Sequence, residues 1–219
     1  MSLAVVDVGH RYSARSASVL VGVSMTIAAG ESVALMGPSG SGKTTLLGIL
    51  GLLFVPSEGS LLLDGSPVPG RRRAALRAGA FAWVFQGTNV LPRRTALDNA
   101  ALGLLARGAS QREAEAAAHK ALAAVGVGHL AAKPANTLSG GELQRVCVAR
   151  AIAARPRFIL ADEPTGQLDH ANTEGVIDAL VANRSIGTAV VIATHDPEVA
   201  AHCDRIVRLR DGRIVEGGP

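Results

Sequence analysis

Two stretches of this sequence hold residue types suited to phosphate chemistry. The first, Gly37-Pro38-Ser39-Gly40-Ser41-Gly42-Lys43-Thr44, follows the apolar run Ser32 to Met36 and leads into a helix-like run. It matches G-x-x-x-x-G-K-[ST] in the strand-to-helix context that this motif requires. Its glycines let backbone N–H groups converge on phosphate oxygens at a helix start, where the dipole also favours anions. Lys43 adds a positive charge near the β- and γ-phosphates, and the Thr44 hydroxyl is offered to Mg²⁺. The nucleotide-binding set is then Gly37, Ser39, Gly40, Ser41, Gly42, Lys43, Thr44 and Thr45. A flexible glycine–serine turn before a helix is the plainer alternative; eight matching positions between the right flanks set it aside. The second stretch, Phe158-Ile159-Leu160-Ala161-Asp162-Glu163, is an apolar strand ending in two carboxylates. Asp162 would hold the metal through water, and Glu163 would orient and polarise the attacking water. Nucleotide binding follows from the loop. It does not separate a kinase, a GTPase, a helicase and a motor.

"LSGGELQR", Leu138 to Arg145, narrows that choice. Ser139 and Glu142 stand at capping-box spacing, so a helix starts here and runs to Arg155, ended by Pro156. Its first turn presents the N–H groups of Gly140 and Gly141 with the Ser139 hydroxyl, a second anion site. Two successive glycines weaken a helix start. Close approach of a phosphate accounts for them better than capping alone.

The elements that must position these groups are legible in outline. Val19 to Ile27 alternates as a strand, with Val19, Val21, Val23, Met25 and Ile27 on one face. Ser32 to Met36 reads as a buried strand, Lys43 to Leu53 as a helix, and Ser60 to Val68 as a strand running into the Asp64-Gly65 turn. Two alanine-rich helices follow, Thr95 to Arg107 and Ser110 to Val125, the second opened by Ser110 and Glu113 as a capping box. Beyond them strand Phe158 to Asp162, helix Asn172 to Asn183 and strand Thr188 to Thr194 alternate, and a hairpin turns at Asp211-Gly212. The rhythm predicts α/β architecture: a mixed, mainly parallel core sheet with an antiparallel β subdomain. The chain reads as one domain over residues 1–219, with a helical subdomain inserted at about 87–137.

Together these motifs resemble the nucleotide-binding subunit of ATP-binding-cassette (ABC) transporters, over essentially the whole length. "LSGGE" is the most specific element, and its place between the phosphate loop and "ADEPTGQLD" matches that family. The resemblance implies a P-loop ATPase working with ATP and Mg²⁺ as a head-to-tail dimer. In that dimer Ser139, Gly140 and Gly141 of one copy meet the γ-phosphate held by Lys43 of the other. It further implies that Tyr12 stacks on adenine and that Gln86 touches Mg²⁺ and the attacking water. Asp169 then couples the two sites, and His195 reaches the γ-phosphate. "GTNVLPRRTALDN", Gly87 to Asn99, is close to the branch of MacB, LolD and FtsE. That branch implies a separate MacB/FtsX-like membrane permease and work in export, lipoprotein release or force transmission. Gln167, where asparagine is usual, and Leu143, where glutamine is common, depart from the pattern at positions away from phosphate.

Composition bounds the alternatives. Hydrophobic residues make up 48% and charged residues 18%, which excludes a disordered chain. With 22 Lys and Arg against 18 Asp and Glu, the net charge of +4 does not call for nucleic acid. Cys147 and Cys203 form no C-x-x-C pair, as suits reduced thiols. The N-terminus has no charged region followed by an apolar one, and no apolar run reaches about 18 residues, so neither a secretory signal nor a membrane span is expected. The implied place is the cytoplasmic side of a membrane, held there by the permease. A soluble ABC ATPase acting on DNA or ribosomes is the competing reading; such relatives carry two cassettes or a coiled-coil insertion, and this chain has one cassette and no heptads.

Overall fold

The computed structural model describes residues 2–13, 15–168 and 170–215. Strands β1 (Ser2–His10), β2 (Leu20–Ala28), β4 (Glu58–Leu63) and β5 (Ser66–Pro67) form an antiparallel sheet in the order β2-β1-β4-β5. Strands β3 (Ser32–Met36), β6 (Phe81–Val84), β7 (Phe158–Asp162), β8 (Ala189–Thr194), β9 (Arg205–Arg210) and β10 (Arg213–Val215) form the second sheet, ordered β10-β9-β3-β8-β7-β6. Its pairings are parallel except for the terminal β9–β10 hairpin. The Val21 N–H donates to the Gly212 carbonyl at 2.9 Å, so the hairpin turn reaches the antiparallel sheet.

The central strands β7 and β8 are buried at every position, as strands covered on both faces must be. Alternate residues serve different cores. Phe158 and Leu160 pack with the antiparallel sheet and α1 (Lys43–Leu50), while Ile159 and Ala161 pack under the helices. The helical layer holds α3 (Ala96–Leu105), α4 (Gln111–Ala124), α5 (Gly140–Ala153) and α6 (His170–Val181). Its buried face is rich in alanine (Ala96, Ala100, Ala114, Ala118, Ala121), whose small side chains let helices approach closely.

The strand alternation expected across Val19 to Ile27 holds only from Val23 onward. Leu20 is buried, not on the outer face, because the register against β1 slips between Val23 and Leu20, where Gly22 has φ +62°. Helix α1 stops at Leu50, three residues short of the expected end, because Gly51 caps it and Leu52 turns left-handed at φ +64°. Strands β1 and β6 and helices α2 (Arg73–Ala80) and α7 (Pro197–Ala201) lie outside the expected set.

Candidate functional site

The phosphate loop leaves β3 and enters α1 through Gly42, whose φ of +102° offers no side-chain cap and leaves the first helical N–H groups free for an anion. At Gly37 and Gly42 the loop has no room for a side chain. A Cβ on Gly37 would fall 2.1 Å from the Leu209 carbonyl oxygen and 2.7 Å from Ser41 Oγ; one on Gly42 would fall 2.8 Å from Leu20 Cδ2. Lys43, itself buried, folds its ammonium back to donate to the carbonyls of Gly37 at 2.7 Å and Pro38 at 3.2 Å. An ammonium has three donors, so one stays available to a phosphate. Ser41 Oγ is buried without a partner, an orphan that a bound phosphate would satisfy.

A cleft of about 220 Å³ opens over this loop, lined by Ser39, Gly40, Lys43, Thr44, Gln86 and Asp162 among others. Glu163 lines it too, next to Asp162 at the end of β7. Burial pushes the Asp162 carboxyl above the ordinary carboxylate range and the Glu163 charge adds to this, while a hydrogen bond from Thr44 and the charge of Lys43 oppose it. Glu163 turns the chain at φ +47°, a left-handed conformation unfavourable for a residue with a side chain. Its N–H is anchored on the Ala193 carbonyl at 2.9 Å, and its Oε1 lies 2.9 Å from Nδ1 of His195. The His195 side chain is 75% exposed while that of Glu163 is 15% exposed, so the imidazole covers the carboxylate from the solvent side.

Tyr12, 60% exposed, bonds through its hydroxyl to Thr45 Oγ1 at 2.8 Å. Its ring meets His10 edge-on at 5.1 Å and Phe54 at 5.8 Å, leaving a face open. His10 ends β1 and Tyr12 stands two residues beyond it, so their contact is local, whereas Phe54 joins both rings from the segment after α1.

Ser139 caps α5 with a complete capping box. Its N–H and hydroxyl donate to Glu142 at 2.7 and 2.8 Å, and the Glu142 N–H donates back to its Oγ at 3.3 Å. These bonds hold the Glu142 carboxyl below its usual range. Ser139 and Gly140 are exposed, and none of Ser139, Gly140 and Gly141 lines the cleft over the phosphate loop. A Cβ on Gly140 would meet Gln167 Oε1 at 3.0 Å, so this turn packs on the segment after Glu163. Asp169 lies outside the described residues.

A family model described as ABC transporter matches residues 20–166. The chain belongs to the ABC transporter family. The cassette is 46% identical over 200 residues to the lipoprotein-releasing system ATP-binding protein LolD of Bordetella pertussis, covering 90% of this chain and 87% of that protein. It is 44% identical over 209 residues to LolD 2 of Caulobacter vibrioides, covering 94% and 92%. Its fold superposes with a TM-score of 0.89 on the dimeric structure of a bacterial ABC transporter cassette at 36% identity, covering 98% of this chain and 97% of that one. The same solved cassette in a post-hydrolysis dimer with ADP and Pi gives 0.88. The chain is thus the ATP-binding, ATP-hydrolysing subunit of an ABC transporter, and among its described residues no helix is long and apolar enough to cross a membrane.

Proposed function

We propose that two copies of this chain, each a single cassette with its helical block inserted at about 87–137, close head to tail around two Mg·ATP. The carrying observation is the separation of the two anion sites. Ser139 and Gly140 are exposed, and the Ser139–Gly141 turn is absent from its own chain's phosphate cleft. Only a second copy brings it to a γ-phosphate held by Lys43. The open face of Tyr12 takes the adenine ring.

Thr44 and Asp162 suit Mg²⁺, which keeps several waters and draws its other ligands from phosphates, and Gln86 lines the same cleft. When bound, the ion neutralises charge on the phosphate oxygens. Glu163 takes a proton from water as the water oxygen bonds to the γ-phosphorus. The bond from that phosphorus to the β–γ bridging oxygen breaks, giving ADP and phosphate. His195 holds the Glu163 carboxylate in register and reaches toward the γ-phosphate, and Asp169 couples the two sites.

On the cytoplasmic side of a membrane, closure would drive a MacB/FtsX-like permease. The likeness to LolD proteins supports lipoprotein release as the work done. The groove beside Gln86 and the helical block receives a cytoplasmic helix of the permease. The expected outcome of Glu163→Gln is retained ATP binding, turnover lowered about 10²–10⁴-fold, and a dimer persisting in Mg·ATP by size measurement. Adding Ser139→Arg to that background should return it to monomer; a persisting dimer sinks the sandwich.

A further inference from the structure

Tyr12 is held by three attachments, and two of them are rings. His10 and Phe54 lie nearly parallel, 5.9 Å apart at 20°, and each meets Tyr12 at close to a right angle, at 5.1 and 5.8 Å. The third attachment is the bond between the Tyr12 hydroxyl and Thr45 Oγ1. Three points define a plane, so the ring has a fixed position and tilt although it is 60% exposed and stands beyond the end of β1.

His10 is the member of this group that burial alone does not explain. It is 8% exposed, and neither ring nitrogen has a hydrogen-bond partner. Burying polar nitrogens unpaired costs free energy that an aliphatic side chain of similar size would not. What a ring supplies there is edge-on contact with Tyr12 and stacking on Phe54. The backbone beneath it is fixed from both sides. The Val19 N–H donates to the His10 carbonyl at 2.7 Å and the Ser57 N–H to the Gly9 carbonyl at 2.9 Å. Arg11, whose N–H donates to Ser57 Oγ at 3.1 Å, pairs with Glu58 at 2.7 Å. Phe54 in turn lies against α1, where a Cβ on Gly48 would fall 2.4 Å from its ring. Helix α1 starts at the phosphate loop, and Thr45 lines the cleft over that loop. The three rings therefore join the place for a base to the place for its phosphates.

We infer that His10 is a positioning residue for the nucleoside, raising nucleotide affinity by holding the Tyr12 ring in the plane on which adenine stacks, without touching the nucleotide. The inference rests on reading Tyr12 as the adenine platform. A free tyrosine loses part of its stacking energy to its own ordering when a base arrives, whereas a ring already held does not. The phosphate end is gripped by loop N–H groups and Lys43, so the effect of His10 is confined to the nucleoside.

The probes are ADP and inorganic pyrophosphate, each with Mg²⁺, titrated calorimetrically into the full chain. They share a diphosphate and differ by the nucleoside, and neither carries the γ-phosphate on which the dimer depends. His10→Leu keeps the bulk and removes the ring. It should fold at least as stably as the parent, because it buries no unpaired nitrogen. It should nonetheless bind ADP about fivefold more weakly, with pyrophosphate unchanged. His10→Phe, which restores a ring, should keep the parent's affinity for ADP. Tyr12→Ala should weaken ADP binding about tenfold, and adding His10→Leu to it should cause no further loss, since nothing remains for His10 to act through. In turnover, His10→Leu should raise the KM for ATP about fivefold and leave kcat unchanged. Equal losses for ADP and pyrophosphate would reduce His10 to a core residue and overturn the inference. So would unchanged ADP affinity in His10→Leu, or a His10→Phe as weak as His10→Leu. A further loss in the double variant would overturn it too, by placing the imidazole on the nucleotide itself. If Tyr12→Ala leaves ADP binding intact, the adenine platform has failed; if it weakens ADP and His10→Leu does not, only the role of His10 has.

Discussion

Burial holds Asp162 at a disadvantage in the ligand-free chain. Burial raises its pKa in the folded chain above the unfolded value, so the ionised form weakens the fold once the pH exceeds the ordinary carboxylate range near 4. The destabilisation is absent below that range and complete above the folded pKa. Asp162→Asn should therefore melt at a higher temperature than the parent at pH 7 without nucleotide, with the difference shrinking as the pH falls toward 4. With Mg·ATP the order reverses. The parent gains about 2.7 kcal/mol at a hundredfold excess over Kd, and the variant should lose most of that increment. Paired thermal melts with and without Mg·ATP read both signs; a variant that melts lower without nucleotide contradicts the assignment. Glu163 shows the same trade in backbone form. Its left-handed φ is unfavourable and is maintained by the Ala193 carbonyl, at the residue proposed to meet the water.

Among the elements, two helices start with the same device and differ in what the start faces. Ser110 caps α4 and Ser139 caps α5, each with a glutamate three residues on closing the box. Ser110→Ala and Ser139→Ala should each destabilise the ligand-free chain by about 1 kcal/mol, read as matched shifts in urea midpoint. Only Ser139→Ala should also weaken the Mg·ATP dimer, because only its turn is offered to phosphate; equal loss in both would reduce Ser139 to a cap. These starts were readable because capping is local chemistry written in four residues. The same locality made the phosphate loop, the β7 carboxylates and the hairpin turn at Asp211-Gly212 readable. What escaped was set by distant partners. Strand β1 bends through register slips and a left-handed Asp7 that only its pairing with β2 and β4 imposes. Helix α2, preceded by Arg71 and Arg72, lacks a side-chain cap; its own Arg73 and Arg77 tie it to the carbonyls of Phe54 and Leu52. The end of α1 is likewise tertiary, since a Cβ on Gly51 would fall 2.0 Å from the Trp83 ring. The contact between His195 and Glu163 joins residues 32 apart through adjacent strand ends, and the resemblance named both without showing that they touch.

At the scale of the whole molecule, the proposed dimer treats the phosphate loop and the Ser139 turn as half-sites, each completed by the other copy. Lys43 and Glu163 line one cleft, and Ser139 faces outward elsewhere. A C2 pair then makes each complete site from the loop of one copy and the turn of its twin. Lys43→Ala spoils the loop half and Ser139→Arg the turn half, so a homodimer of either variant has no complete site. In a mixed dimer both lesions fall in the same composite site, and the other site joins an intact Lys43 to an intact Ser139. Each mixed pair that forms has one working site of two, so mixing should raise ATP turnover well above that of either variant alone if the sites act independently. Each variant alone should stay at background at every concentration. If the turn served its own chain, each variant would be inactive for its own reason and mixing would restore nothing. Rate measured against mixing ratio, with a maximum at equal parts, therefore decides whether the γ-phosphate is shared between two chains or held within one.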